Sequence, residues 1–265
     1  MSVVAALYDV HGNLPALEAV LADDAFARAD AVVVGGDVAS GPMPAEVLDR
    51  LLALELPLRW VRGNADREVV DFFDRGDVDP SVHPADDPAA YGPDDPAGRA
   101  DAFTAARITR AQRDLLAAFE EVVRFDGALF CHGSPRSDDE IVTALTPEAR
   151  LAPMLDGVQE PLVVCGHTHH QFELHLGAQR VVNAGSVGMP YQGEPGAYWL
   201  LVADGEPEPR RTAYDVDAAA TVIRTSGFPD ADDLIRESLV EPVDPAWVAR
   251  HFEVARRGLD RCVGR

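Results

Sequence analysis

Five short apolar runs in this chain each end in a residue able to donate a lone pair to a cation. Val3–Leu7 leads to Asp9-Val10-His11, Ala31–Val34 to Gly35-Gly36-Asp37, Leu58–Val61 to Gly63-Asn64, Ala128–Cys131 to His132-Gly133, and Leu162–Cys165 to Gly166-His167-Thr168-His169. Runs this short and continuously apolar read as strands buried on both faces of a parallel sheet. The carboxyl edge of such a sheet is where α/β folds seat their ligands. If the five strands lie side by side, Asp9, His11, Asp37, Asn64, His132, His167 and His169 converge on one pocket of oxygen and imidazole donors. Each x-spaced pair, Asp9-x-His11 or His167-x-His169, is by itself explained as a polar strand terminus. Two pairs together with Asp37, Asn64 and His132, using four of the chain's eight histidines, are not. With ligands two apart, an extended backbone points both side chains of a pair to one face.

The elements that must hold these residues follow from periodicity. Leu14, Leu17, Val20 and Leu21 predict a helix over 14–21 with Pro15 in its first turn, and Val47, Leu48, Leu51 and Leu52 predict another over 44–54. With strands over 3–7, 31–37 and 58–61, the first 66 residues read as βαβαβ. Residues 71–101 are rich in Asp, Pro and Gly and predict a solvated, acidic insertion, with a cap beside the pocket as the functional alternative. A helical stripe returns over 102–119. Strand pairs are expected at 122–125 with 128–131 around Asp126-Gly127, at 171–176 with 180–183 around Gly177, and at 197–203 with 210–215 around Asp204-Gly205. Helical patterns over 218–225 and 245–257 make a C-terminal extension, from about residue 216 to 265, to what is expected to be a single domain.

Bulk properties narrow the function classes. The 265 residues carry 23 Lys plus Arg against 45 Asp plus Glu, a formal charge of −22. That field repels phosphate backbones, so a nucleic-acid duplex is not an expected partner, whereas a small phosphorylated substrate remains admissible if bound cations invert the local potential. Three cysteines without C-x-x-C spacing point to a reducing compartment. There is no leader pattern and no apolar run long enough to span a membrane, which predicts a cytoplasmic location and no membrane partner. The oligomeric state is open, a homo-oligomer included.

The ordered motifs Asp9-x-His11, Gly36-Asp37, Gly63-Asn64-Ala65-Asp66, His132 and Gly166-His167-Thr168-His169 resemble those of the calcineurin-like metallophosphoesterases. Their short spacings, with Gly12-Asn13 and Asn183-Ala-Gly-Ser-Val-Gly188, look most like the small bacterial and archaeal branch. The resemblance implies an α/β fold, a two-sheet mixed β-sandwich flanked by helices. It implies a metal-dependent hydrolase of phosphate esters, a phosphodiesterase before a phosphomonoesterase; a non-catalytic metal-binding scaffold is the alternative that lost ligands would favour, and here every ligand position is filled. It further implies that Asp9, His11, Asp37 and His169 hold one metal and Asp37, Asn64, His132 and His167 a second, with Asp37 bridging. Carboxylate, amide and imidazole without thiolate suit Mn, Fe, Co, Ni or Zn. Two such ions about 3.5–4 Å apart clamp phosphoryl oxygens and lower the pKa of a water that attacks in line.

Secondary candidates are Asn64 and Asp66 as catalytic groups and Asn13, Arg136 and His170 as substrate contacts. Asn13 also suits a helix cap, and Arg136 and His170 suit solvated loops. The family position after Asn64, often a histidine that protonates the leaving group, is Ala65. Asp66 beside two cations is expected to stay ionised.

Overall fold

The computed structural model describes residues 2–76 and 96–263, with side chains described through residue 254. Two mixed five-stranded sheets face each other, flanked by helices. In the first, β1 (Val3–Leu7), β2 (Ala31–Val34) and β3 (Leu58–Trp60) run parallel. The hairpin β9 (Ala197–Ala203) with β10 (Glu206–Thr212) adds antiparallel on the other side of β1, with Val4 opposite both Ala31 and Val202. The second sheet orders β4 (Val122–Phe125), β5 (Ala128–Cys131), β6 (Leu162–Cys165), β8 (Gln179–Asn183) and β7 (Phe172–Leu176), the last lying antiparallel at the edge.

Strand alternation sorts the apolar residues into layers. Val4, Ala6, Tyr8 and Val33 of the first sheet meet Phe130, Leu162, Val164 and Val182 of the second in the sandwich interior. The opposite face of the first sheet, with Ala5, Leu7 and Trp199, is covered by α1 (Leu14–Leu21) and α2 (Pro44–Leu52). Outside the second sheet, Leu129, Cys131 and Val163 pack on Leu151 and Met154 of α6 (Glu148–Met154), a short helix that the sequence pattern does not announce.

Several boundaries differ from expectation, each for a local reason. The second strand stops at Val34, because the chain must turn: a Cβ on Gly35 would sit 2.2 Å from the Tyr8 ring, and Gly36 has φ +96°. The region read as a 71–101 insertion is helical at both ends, with α3 (Asn64–Arg75) before it and α4 (Pro96–Ala105) after it, the two packed against each other; residues 77–95, on which the cap reading falls, lie outside the described residues. The 102–119 stripe is two helices, α4 and α5 (Arg110–Ala117). Thr109 restarts the backbone with a capping box, its Oγ1 accepting from Gln112 N at 3.2 Å while Gln112 Oε1 accepts from Thr109 N at 2.9 Å. Beyond β10, α7 (Val216–Thr225) and α8 (Ala231–Leu234) lead into a π-helical segment, Ile235–Val240, and then α9 (Pro245–Val263). Phe103 of α4, Ile223 and Phe228 close with Leu234, Ile235 and Leu239 into one apolar cluster, so this C-terminal part is packed onto α4. Among the described residues no helix is long and apolar enough to cross a membrane.

Candidate metal centre

The loops leaving β1, β2, β5 and β6 bring their carboxylates and imidazoles to one edge of the sandwich. Ligand atoms of Asp9, His11 and His169 lie within 4.8 Å of one another, and so do those of Asp37, His132 and His167. The two groups abut: Asp37 Oδ2 is 3.3 Å from His132 Nε2 and 3.9 Å from His11 Nε2, and Asp9 Oδ1 is 3.4 Å from His169 Nε2 and 3.8 Å from His132 Nε2. His167 and His169, two apart in sequence, therefore serve different groups. The extended backbone expected for the two x-spaced pairs is absent. Asp9, His11, Asp37, His167 and His169 all have φ between 46° and 65°, in the left-handed region. Among the described residues only two other non-glycine residues do so, Asp126 and Asp204 of hairpin turns. Each such conformation costs about 1–3 kcal/mol, so the surrounding structure must enforce it.

That enforcement is visible in the hydrogen bonds. His11 Nδ1 donates to Ser40 O at 3.0 Å, His132 Nδ1 to Gly35 O at 2.9 Å and His169 Nδ1 to Met189 O at 2.8 Å. A carbonyl can only accept, so Nδ1 carries a hydrogen in all three rings and Nε2 points inward, able to offer a lone pair once it is deprotonated, the arrangement that orients metal-binding imidazoles. Asp9 Oδ2 accepts from His167 N at 3.1 Å, and Asp37 Oδ1 from Ala65 N at 2.8 Å at the start of α3. Each carboxylate thus keeps one oxygen for the site. The Asn183–Gly188 turn wraps Asp9: Ser186 Oγ donates to Asp9 O at 2.7 Å and Gly188 N donates to the same oxygen at 3.0 Å.

The donor set fits a cation. Asp9 Oδ1, His132 Nε2 and Asn64 Oδ1 are buried with no hydrogen-bond partner among the described residues. His11 Nε2 and His169 Nε2 face each other at 3.2 Å, two lone pairs when both rings are neutral. Buried polar atoms are rarely left so. Charge within the cluster is mutually adjusted. Burial pulls the His132 pKa down, but the Asp37 and Asp9 carboxylates outweigh it and raise it to about 10. Burial, with repulsion from His132, lowers His167 to about 4. Asp37 is held below the usual carboxylate range by His132 and His11 despite its burial.

The secondary candidates are placed elsewhere. Asp66 is fully buried, and its oxygens accept from the backbone N–H groups of Asp37 at 2.8 Å, Val38 at 3.1 Å and Gly63 at 3.0 Å. It positions the two ligand loops and is turned away from the site. In the metal-free protein, burial and the Asp37 charge raise its pKa to about 7. Asn13 caps α1, accepting from Ala16 N, and donates to Gly188 O. Arg136 is tied to Glu140 and Pro153 O in a separate polar pocket. His170 is buried, bonded to Thr168 O and against the Phe172 ring. None of these four lines the cavity beside the cluster.

That cavity has a volume of about 430 Å³. His11, Asp37, Asn64 and Ala65 form its floor, and Tyr191, whose ring stacks on His169 at 5.0 Å, forms part of its side. The Phe228–Ser238 segment carried no sequence signal for this role.

A model of the calcineurin-like phosphoesterase superfamily domain matches residues 1–206. The chain belongs to this superfamily. A metallophosphoesterase from Sphaerobacter thermophilus superimposes with a TM-score of 0.70 at 24% identity, covering 88% of this chain and 96% of that one. A hypothetical protein from Pyrococcus horikoshii OT3 gives 0.72 at 20% identity, covering 89% and 97%. Both are similar to this superfamily member in fold. No match was found among curated proteins. The two-sheet sandwich expected from the motifs is the observed one, and the superfamily accounts for a phosphoesterase built around Asp and His donors.

Proposed function

We propose that the protein hydrolyses phosphodiesters with two divalent cations of the Mn, Fe, Co, Ni or Zn class. Asp9, His11 and His169 hold one, Asn64, His132 and His167 the other, and Asp37 serves both. Bound there, the cations supply Lewis-acid charge that polarises a phosphoryl group and acidifies water. The chain's own part is orientation. The α3 N-terminus aims Asp37, three backbone carbonyls fix the imidazole tautomers, and the cavity over His11 and Asn64 seats the ester. The observation that carries this reading is the convergence of partnerless buried atoms on Asp9, Asn64 and His132 at one edge.

Preference for a diester over a monoester follows from charge. Around the cavity, the carboxylates of Glu68, Asp233 and Glu237 face a single guanidinium, Arg236, which is itself paired with Asp233 and Glu237 at 2.8 Å each, while Asp230 is paired with Arg99 at 2.9 Å and the buried Asp101 holds a proton. A monoester dianion finds no free cationic side chain there, whereas a diester carries one charge fewer. Mn²⁺-loaded protein assayed on p-nitrophenyl phosphate and bis(p-nitrophenyl) phosphate tests this. The diester is expected to have the higher kcat/KM; a higher value for the monoester replaces the reading with a phosphomonoesterase, and no metal-dependent turnover of either removes it.

A further inference from the structure

The wall of the cavity opposite the metal ligands is built by residues beyond the superfamily match, which ends at 206. Phe228, Leu234 and the π-helical residues Arg236, Glu237 and Ser238 close over α4, which contributes Ala97 and Ala100. π-Helical turns are held by local packing and are frequent at functional sites. Here the turn is anchored by Ile235, Leu239 and Phe228 in the apolar cluster with Phe103, which packs the wall onto α4.

Three properties of this wall are chemical rather than merely shaped. Its body is apolar, from Ala97, Ala100, Phe228 and Leu234. Ser238 is 1% exposed, lines the cavity, and its Oγ has no hydrogen-bond partner among the described residues. A buried hydroxyl without a partner costs about 1–3 kcal/mol, a deficit that a bound N–H or O–H removes. Finally, Glu68, Asp233 and Glu237 face the same space with the paired Arg236, while Asp230 is neutralised by Arg99 and Asp101 holds a proton, so carboxylates still outnumber the guanidinium and the potential away from the metal end favours a cation. At about 430 Å³ the volume suits a small organic group.

We infer that this cavity is the specificity site for the organic part of the substrate, and that it takes an apolar body bearing a primary ammonium group, which donates to Ser238 Oγ and faces the carboxylate rim. The inference deepens the phosphodiesterase reading, since the ester must place its phosphoryl group at His11, Asp37 and Asn64 while its organic arm fills the cavity. Glu237, half exposed on the π-helical turn and paired with Arg236, contributes negative charge to the rim. A second anionic group on the substrate is rejected by the same carboxylates.

Three methyl aryl phosphate diesters, with 4-(aminomethyl)phenyl, 4-(hydroxymethyl)phenyl and 4-(carboxymethyl)phenyl groups, test this. Their KM values are read separately from kcat, and the corresponding free phenols are titrated calorimetrically into Mn²⁺-loaded protein. The amine is expected to bind about tenfold more tightly than the alcohol and the carboxylate about tenfold more weakly, in both KM and calorimetric affinity. Ser238→Ala is expected to weaken the amine several-fold in KM with kcat little changed. Glu237→Gln, on the surface and so safe for folding, is expected to narrow the amine-to-carboxylate ratio. Equal affinities for the three phenols, or preference for the carboxylate, overturns the inference even if the diesters are hydrolysed. Ordered calorimetric affinities without any turnover uphold the cavity assignment and instead overturn the phosphodiesterase reading.

Discussion

The backbone N–H of Ala65, at the start of α3, donates to Asp37 Oδ1 at 2.8 Å, which leaves Oδ2 facing His132 Nε2 at 3.3 Å. A helix N-terminus thereby orients a carboxylate whose free oxygen lies within 3.9 Å of an imidazole of each Asp/His group. Asp37→Ala removes a donor from both at once. Its metal content, measured after dialysis, is expected to fall from two equivalents to fewer than one, a larger loss than for any other single ligand change, with activity reduced at least 10²-fold. Retention of two equivalents would falsify the bridging assignment.

Metal loading should be strongly pH-dependent. In the metal-free protein the Asp37 and Asp9 carboxylates keep a proton on His132, with a pKa raised to about 10, and a cation must displace it. Affinity is therefore expected to rise about tenfold per pH unit between pH 6 and 8 for each proton released. Chelator competition at both pH values, with the released protons counted in weak buffer, checks this; equal affinity at pH 6 and 8 rules it out.

Ala65 lines the cavity beside Asn64, where the family pattern often has an imidazole, and it cannot protonate a leaving group. General acid catalysis is typically worth about 10²–10⁴-fold. Activity should fall steeply with leaving-group pKa, and Ala65→His should rescue poor leaving groups selectively. A series of aryl methyl phosphates measures the slope. A shallow slope with chemistry rate-limiting means that another group supplies the proton.

Asp66 binds three backbone N–H groups in the interior, so its removal strands donors that water cannot reach. Asp66→Ala is expected to cost about 3 kcal/mol or more in urea unfolding. Asp66→Asn, which retains one carbonyl acceptor, should cost less. A stable Asp66→Ala protein with lost turnover and full metal content would instead make this residue a participant in the chemistry.

Asp101 is buried, and its Oδ1 accepts from Ser40 Oγ at 2.6 Å. Burial raises its pKa to about 9 from the ordinary value of 3.8; Ser40's donation opposes the rise and the Glu68 charge adds to it. Between those pH values the folded protein holds a proton that the unfolded chain has lost, so stability falls as pH rises through the window. Asp101→Asn keeps the acceptor and abolishes this dependence. In chelator, the variant should match the parent near pH 4 and exceed it by about 1–3 kcal/mol at pH 8. Parallel stability curves for the two proteins reject the assignment.

The strands, and the Asp, Asn and His residues that follow them, were legible in the sequence because both are local. A β-branched run needs burial on both faces wherever it lies, and Gly35-Gly36 before Asp37 signals a turn under steric pressure. The hairpins at Asp126-Gly127 and Asp204-Gly205 are read from turn chemistry alone. What required the tertiary structure is everything that depends on which loop meets which. That His167 and His169 join different groups was implied by the family resemblance, but the left-handed backbone from which each does so is not revealed by an x-spaced motif. Asp66, adjacent in sequence to the site, faces three backbone N–H groups in the interior, while Arg136 finds Glu140 before any substrate. The cavity wall at Phe228–Ser238 is invisible locally, since its role arises only when the π-helical turn folds back over α4. The chain thus declares its donor atoms residue by residue, and long-range packing decides which of them face one another.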